Sequence, residues 1–228
     1  MNVLSDGAIF GCILLTLRVA GIATVVSTIV GIGMAWFMVR SRVPGKRWID
    51  AICALPLVLP PTVIGYILIL FIGSRGLLGE WLAKVGIELI FNWKGAVVAA
   101  TVVVFPLTYR ASKAALESVD HSLEDAARTL GATEWEVFYK VSLPLAWRSI
   151  AAGVSLAFAR GMGEFGATLM IAGNLPGKTQ TLSLAIYAAF NASEDRLALI
   201  LVLLTAGICA SLLVLAESLT SRRFAKGV

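Results

Sequence analysis

Residues 19–39 read VAGIATVVSTIVGIGMAWFMV, 21 consecutive positions without an ionisable side chain. A helix rises about 1.5 Å per residue and the hydrocarbon core of a bilayer is about 30 Å thick, so this stretch is long enough to cross a membrane. The apolar run starts upstream at Ala8 and is interrupted only by Arg18, which sits near the outer end and is expected to snorkel. No small-residue cleavage site follows a short apolar core. The segment is therefore expected to stay in the mature protein as a first spanning helix.

Further runs continue along the chain, and the expected spans fall at about residues 10–38, 49–73, 93–109, 149–172 and 197–218. The second contains Pro56, Pro60 and Pro61, which remove backbone donors and bend or break a helix. Residues 179–193 are also uncharged but include Thr, Gln, Ser and Asn, so they read as a re-entrant or interfacial piece. Of the 228 residues 58% are apolar and 14% charged, against roughly half and a quarter in soluble domains. A soluble enzyme is excluded. The expected fold class is all-α: a polytopic membrane protein of about five transmembrane helices, residues 1–228 forming one domain in the lipid bilayer.

Charge placement sets the direction. With five spans, Arg40, Arg42, Lys46, Arg47, Arg110, Lys113, Arg128, Lys140, Arg148, Arg222, Arg223 and Lys226 share one side, whereas the other side's connections receive Arg75, Lys84, Lys94 and Lys178. Short loops rich in Lys and Arg stay in the cytoplasm, so the N-terminus is expected outside and the C-terminus inside. The net charge of +5 then reflects topology, and no nucleic-acid partner is expected. Cys12, Cys53 and Cys209 lie inside apolar runs without metal-ligand spacing, and the lone His121 has no catalytic neighbour, so no cofactor or metal is expected.

The cytoplasmic connection, residues 110–148, holds six of the fourteen acids. Leu116, Val119, Leu123, Ala127 and Leu130 step by three or four and predict one amphipathic helix, ended by Gly131. Thr133 followed by Glu136 predicts a capping box opening a second short helix that Pro144 ends. On periodicity alone the pair reads equally as helices lying on lipid headgroups.

Read in order, the segment is Glu124-Asp125-Ala126-Ala127, then Gly131, then Leu143-Pro144 twelve residues on. This resembles the EAA loop of binding-protein-dependent ABC importer permeases, with Asp125 inserted after the glutamate. The resemblance implies that Glu124, Asp125, Ala126, Ala127, Gly131, Leu143 and Pro144 belong to a coupling helix docking on an ATPase subunit. A second stretch, residues 55–66 (LPLVLPPTVIGY), with Gly73, Gly76, Gly79 and the Arg160-to-Ala167 segment, resembles the molybdate permeases of ABC importers. Sulfate and tungstate permeases share much of that pattern and are the alternative. The family implies a type I importer fold in the bacterial inner membrane, a second permease copy as a homodimer, two cytoplasmic ATPase subunits and an extracytoplasmic oxyanion-binding protein. A self-sufficient channel or ion-driven carrier is the rival from another class.

Two features inside the membrane are candidates for the pathway or its gate. Arg160 and Glu164 share one helix face four residues apart, and each alone costs about 2.5–3.5 kcal/mol at a helix centre, so they must pair or face water. They form either a structural tether or part of a gate in which Gly163 and Gly166 let helices approach. The break at Pro60 and Pro61 either packs against neighbours or presents half-helix termini to a central cavity. Residues 173–179 look like a phosphate-binding loop, but Ala172 stands where that motif needs its first glycine. ATP hydrolysis is therefore assigned to a partner subunit, and no catalytic residue is expected here.

Overall fold

In the computed structural model the chain is described over residues 6–41, 43–74 and 76–221. Arg42, Arg75, Arg222, Arg223 and Lys226 of the charge pattern lie outside the described residues. Among the described residues eleven α-helices run in order: α1 (Asp6–Arg40), α2 (Lys46–Val58), α3 (Pro61–Ile72), α4 (Gly79–Lys84), α5 (Trp93–Glu117), α6 (His121–Thr129), α7 (Glu134–Val137), α8 (Leu143–Met162), α9 (Gly166–Ala172), α10 (Leu182–Asn191) and α11 (Asp195–Ser221). Four stretches are long and apolar enough to cross a membrane, and α2 with α3 makes a fifth, bent by 114°. Arg196, in the first turn of α11, joins the smaller basic set with Lys84, Lys94 and Lys178 and leaves the charge bias in place.

The sharp bend has a local cause. Leu59 is extended, Pro60 caps α3 and Pro61 opens it, so the chain leaves the helical path where two consecutive amides are missing. Val63 and Ile64 both donate to Pro60 O, at 2.9 and 3.2 Å. Among the described residues this leaves the Thr62 amide alone to offer a hydrogen bond at the start of α3. A cluster of free donors at this half-helix terminus is not formed.

The core is built on α5, which packs against α1, α2, α8 and α9. Small residues on α5, Ala96, Ala99 and Ala100, are fully buried and let neighbouring helices come close. At the α5–α8 contact a Cβ at position 153 would overlap that of Ala111. Gly153→Ala is therefore expected to destabilise the chain by about 1–3 kcal/mol through overpacking, read as a lower unfolding midpoint in detergent.

Residues 179–193 form no span. α10 has ten residues, about 15 Å of helix, and packs between α1 and α11, its start held by Leu182 N donating to Thr16 Oγ1 at 2.9 Å. Thr179, Gln180 and Thr181 just before it are all buried.

Candidate functional site: the loop between α5 and α8 and the broken helices

The predicted single helix from Leu116 to Leu130 is two helices. α5 runs on to Glu117, the chain turns through Ser118 and Val119, and α6 starts afresh on Asp120, whose carboxylate accepts the Ser122 amide at 2.9 Å. That hydrogen bond holds the Asp120 carboxyl below the usual carboxylate range. The apolar stripe divides with the break. Leu116 and Val119 are buried against α1 and α2, whereas Leu123 and Leu130 are 49% and 89% exposed.

The buried residue of α6 is its acid. Glu124 is 4% exposed; its Oε1 lies 2.9 Å from Arg40 Nη2 at the end of α1 and accepts Ser142 Oγ at 2.6 Å. Its Oε2 lies 3.3 Å from His121 Nδ1 and 3.7 Å from Arg128 Nη2. Glu124 thus ties α6 downward to α1 and to the helix that returns to the membrane. Asp125, 71% exposed in its side chain, pairs among the described residues only with Arg128, which also donates to Glu134 at 2.7 Å. The Glu134 hydrogen bond raises the Arg128 guanidinium above its ordinary pKa.

Gly131 has φ +86°, the left-handed region that favours glycine. Its N–H donates to Arg128 O at 2.9 Å and that of Ala132 to Ala127 O at 3.1 Å, a Schellman closure of α6. The expected capping box is present: Thr133 Oγ1 accepts the Glu136 amide at 3.3 Å, and Glu136 Oε2 accepts the Thr133 amide at 3.0 Å. Trp135 packs edge-on to Trp36 of α1 at 5.8 Å and stays 60% exposed.

Pro144 does not end the second helix. The backbone widens to a π-helical turn over Phe138–Ser142, with Leu143 N donating to Phe138 O, and resumes as α8 with Pro144 in its first turn. The wide turn shifts the hydrogen-bond register where a proline has no donor to give. Residues Glu134–Met162 consequently form one continuous helix. Leu143 packs on the cluster holding Met38, Tyr109 and Phe138.

At the far end of α8, Arg160 Nη1 lies 2.9 Å from Glu164 Oε2. Glu164 is 3% exposed, and its Oε1 accepts the Ala167 amide at 3.0 Å, so it also caps α9 across the break at Gly163. The Arg160 side chain is 38% exposed. α9 lies against α3 with almost no separation: a Cβ on Gly166 would sit 2.8 Å from Pro61 Cβ, and one on Gly65 2.7 Å from Met170 Cβ. The fold thus joins Pro60, Pro61, Gly163, Glu164 and Gly166 into one locus where both broken helices meet. The loop residues Glu124 to Pro144 form a second locus, at the opposite end of α8.

Two features escaped the sequence reading. Arg18 does more than snorkel, stacking over the Trp93 ring at 3.9 Å and linking α1 to the start of α5. Arg40, 84 positions before Glu124, is the counter-charge of the loop's acid, and no local spacing signals that pairing.

The chain matches the family model for the binding-protein-dependent transport system inner membrane component over residues 27–224. It is 50% identical over 176 residues to the molybdenum transport system permease protein ModB of Escherichia coli K12, 77% of each chain. It is 39% identical over 186 residues to the sulfate transport system permease protein CysT of the same strain, 82% of this chain and 67% of that one. Among solved structures, a bacterial alginate ABC transporter in complex with its pentasaccharide-bound periplasmic protein superposes with a TM-score of 0.76 at 18% identity, over 96% of this chain and 80% of that one. The chain therefore belongs to the binding-protein-dependent transport system inner membrane components, as a multi-pass protein of the inner membrane.

Proposed function

We propose that this chain is the permease subunit of an ATP-driven importer that carries molybdate into the cytoplasm. It works as a homodimer, with the N-terminus outside and the C-terminus inside, on two separate ATPase subunits, and receives its anion from an extracytoplasmic binding protein. The observation that carries the reading is the inverted loop helix. α6 buries its acid against its own chain and turns Leu123 and Leu130 outward, the arrangement of a helix held firmly from beneath and covered by a partner from above. On this reading Glu124 is the anchor, Asp125, Ala126 and Ala127 lie on the docking helix, Gly131 closes it, and Leu143 and Pro144 return the chain to the membrane. The higher identity to the molybdenum relative than to the sulfate relative supports molybdate as cargo.

The pathway follows from the locus where the two broken helices meet. A charged side chain more than a third exposed at membrane depth is costly in lipid, so the Arg160 head faces water or the second copy, with Glu164 holding it in place. The double variant Arg160→Gln/Glu164→Gln removes both charges together and is expected to assemble near wild-type amounts yet to fall at least about tenfold in uptake. Recovery of full uptake would reduce the pair to a tether.

The whole reading is tested with labelled molybdate in cells lacking the chain, complemented by wild type, with tungstate and sulfate as competitors. Molybdate uptake restored by the chain, dependent on the ATPase and outcompeted by tungstate before sulfate, is the expected result. Restored sulfate uptake without molybdate, or transport by the chain alone in liposomes, would overturn it.

A further inference from the structure

We infer that the cytoplasmic cleft between α2 and α5 is a binding pocket for a tetrahedral phosphate-type oxyanion, supplied by the headgroup of an anionic phospholipid. A cavity of about 420 Å³ opens there, walled by Arg47, Asp50, Tyr109, Arg110, Lys113 and Glu117. Its charges are unequally satisfied. Lys113 Nζ lies 2.6 Å from Asp50 Oδ2 and 3.9 Å from Glu117 Oε1, and the Tyr109 hydroxyl also donates to Asp50. Asp50 is thereby committed to the lysine and the phenol, and Glu117 reaches the same lysine only at 3.9 Å from the rim. Arg47 and Arg110, one from each helix and both exposed, have no ionic or hydrogen-bond partner among the described residues. Arg40 and Arg128, by contrast, are each held by carboxylates.

Two unpaired guanidiniums across a cleft present forked donors to an anion with oxygens in several directions, the geometry guanidinium matches best. The position favours a lipid as the source. Trp48, beside Arg47, is 77% exposed, as an aromatic ring at headgroup level would be. Basic pockets between spanning helices on the cytoplasmic face recognise phosphate headgroups, adding about a kcal/mol for each basic residue near the surface. Assigning the donor to the inner leaflet rests on the orientation proposed above, whereas binding itself does not.

The full-length chain, delipidated in dodecyl maltoside, is titrated with phosphatidylglycerol, with phosphatidylcholine of the same acyl chains, and with sodium phosphate, following the unfolding midpoint. Wild type is expected to respond to phosphatidylglycerol and not to phosphatidylcholine, and Arg47→Gln/Arg110→Gln to bind it roughly five- to tenfold more weakly for each arginine lost. Arg47→Lys/Arg110→Lys, which keeps both charges, guards against misfolding and is expected to retain most of the response, as is the outer-side control Lys84→Gln. A response to sodium phosphate as strong as that to the lipid keeps the oxyanion pocket and transfers its source to a soluble anion. Equal responses of wild type and the double glutamine variant, or no preference over phosphatidylcholine, would overturn the inference. Detergent titration involves no transport, so it fails or succeeds independently of the permease reading.

Discussion

Glu124→Ala is expected to abolish molybdate uptake, at least tenfold below wild type, while the chain still inserts in the membrane. The carboxylate is the common partner of Arg40 and Ser142, and its loss leaves Arg40 only the longer 3.6 Å contact with Glu134, a cost of about 1–3 kcal/mol. α6 has nine residues, well under the length at which a helix holds itself together in water, so its order depends on that anchor. Hydrogen exchange of the purified chain is expected to speed up across His121–Thr129 and to stay slow across the α5 core. Leu130→Asp supplies the contrast, since an 89% exposed side chain contributes nothing to internal packing. That variant should exchange as wild type does and lose retention of the ATPase subunit. Wild-type uptake by Glu124→Ala would remove the anchoring role.

Gly131→Val is expected to lose uptake by at least about tenfold, whereas Gly131→Asn keeps about a third or more. At φ +86° a Cβ on residue 131 meets no atom within 4 Å, so added bulk is not what harms this chain. The cost is conformational: an L-residue in the left-handed region loses about 1–2 kcal/mol, a β-branched one more, and asparagine least. The valine variant would relax by unwinding the Schellman closure and swinging α6 away from Thr133. Equal loss in both variants would move the requirement for glycine from the turn to a surface pressed against residue 131.

What could be read from the chain in advance depended on the range of the interaction. The bend at Pro60 and Pro61, the Thr133–Glu136 capping box and the Arg160–Glu164 pair all rest on neighbours within a few residues, and each is found, whereas the apolar run expected as a span over residues 149–172 is cut at Gly163 between α8 and α9. The loop helix was misread because Leu116, Val119, Leu123 and Leu130 keep one period across a break. Asp120 followed by Ser122 starts a new helix there, a signal overridden by the continuous stripe. Which face of α6 is buried could not be read at all: burial of Glu124 depends on Arg40 and Ser142, 84 positions before it and 18 after. Pro144 misled for a different reason, since the wide turn that accommodates it is a property of the backbone between Phe138 and Ser142 and carries no residue signature.

The unbroken helix from Glu134 to Met162 has a mechanical meaning. Its 29 residues make a strut about 43 Å long, with Trp135 at one end and the Gly163 joint at the other. On the proposed reading, a nudge delivered to the Trp135 tip of such a strut would reach its Arg160 end nearly undiminished. The widened turn at Phe138–Ser142 interrupts its regular hydrogen bonding beside the Glu124 clamp, so on the proposed reading that clamp would be the fulcrum on which the stroke is geared.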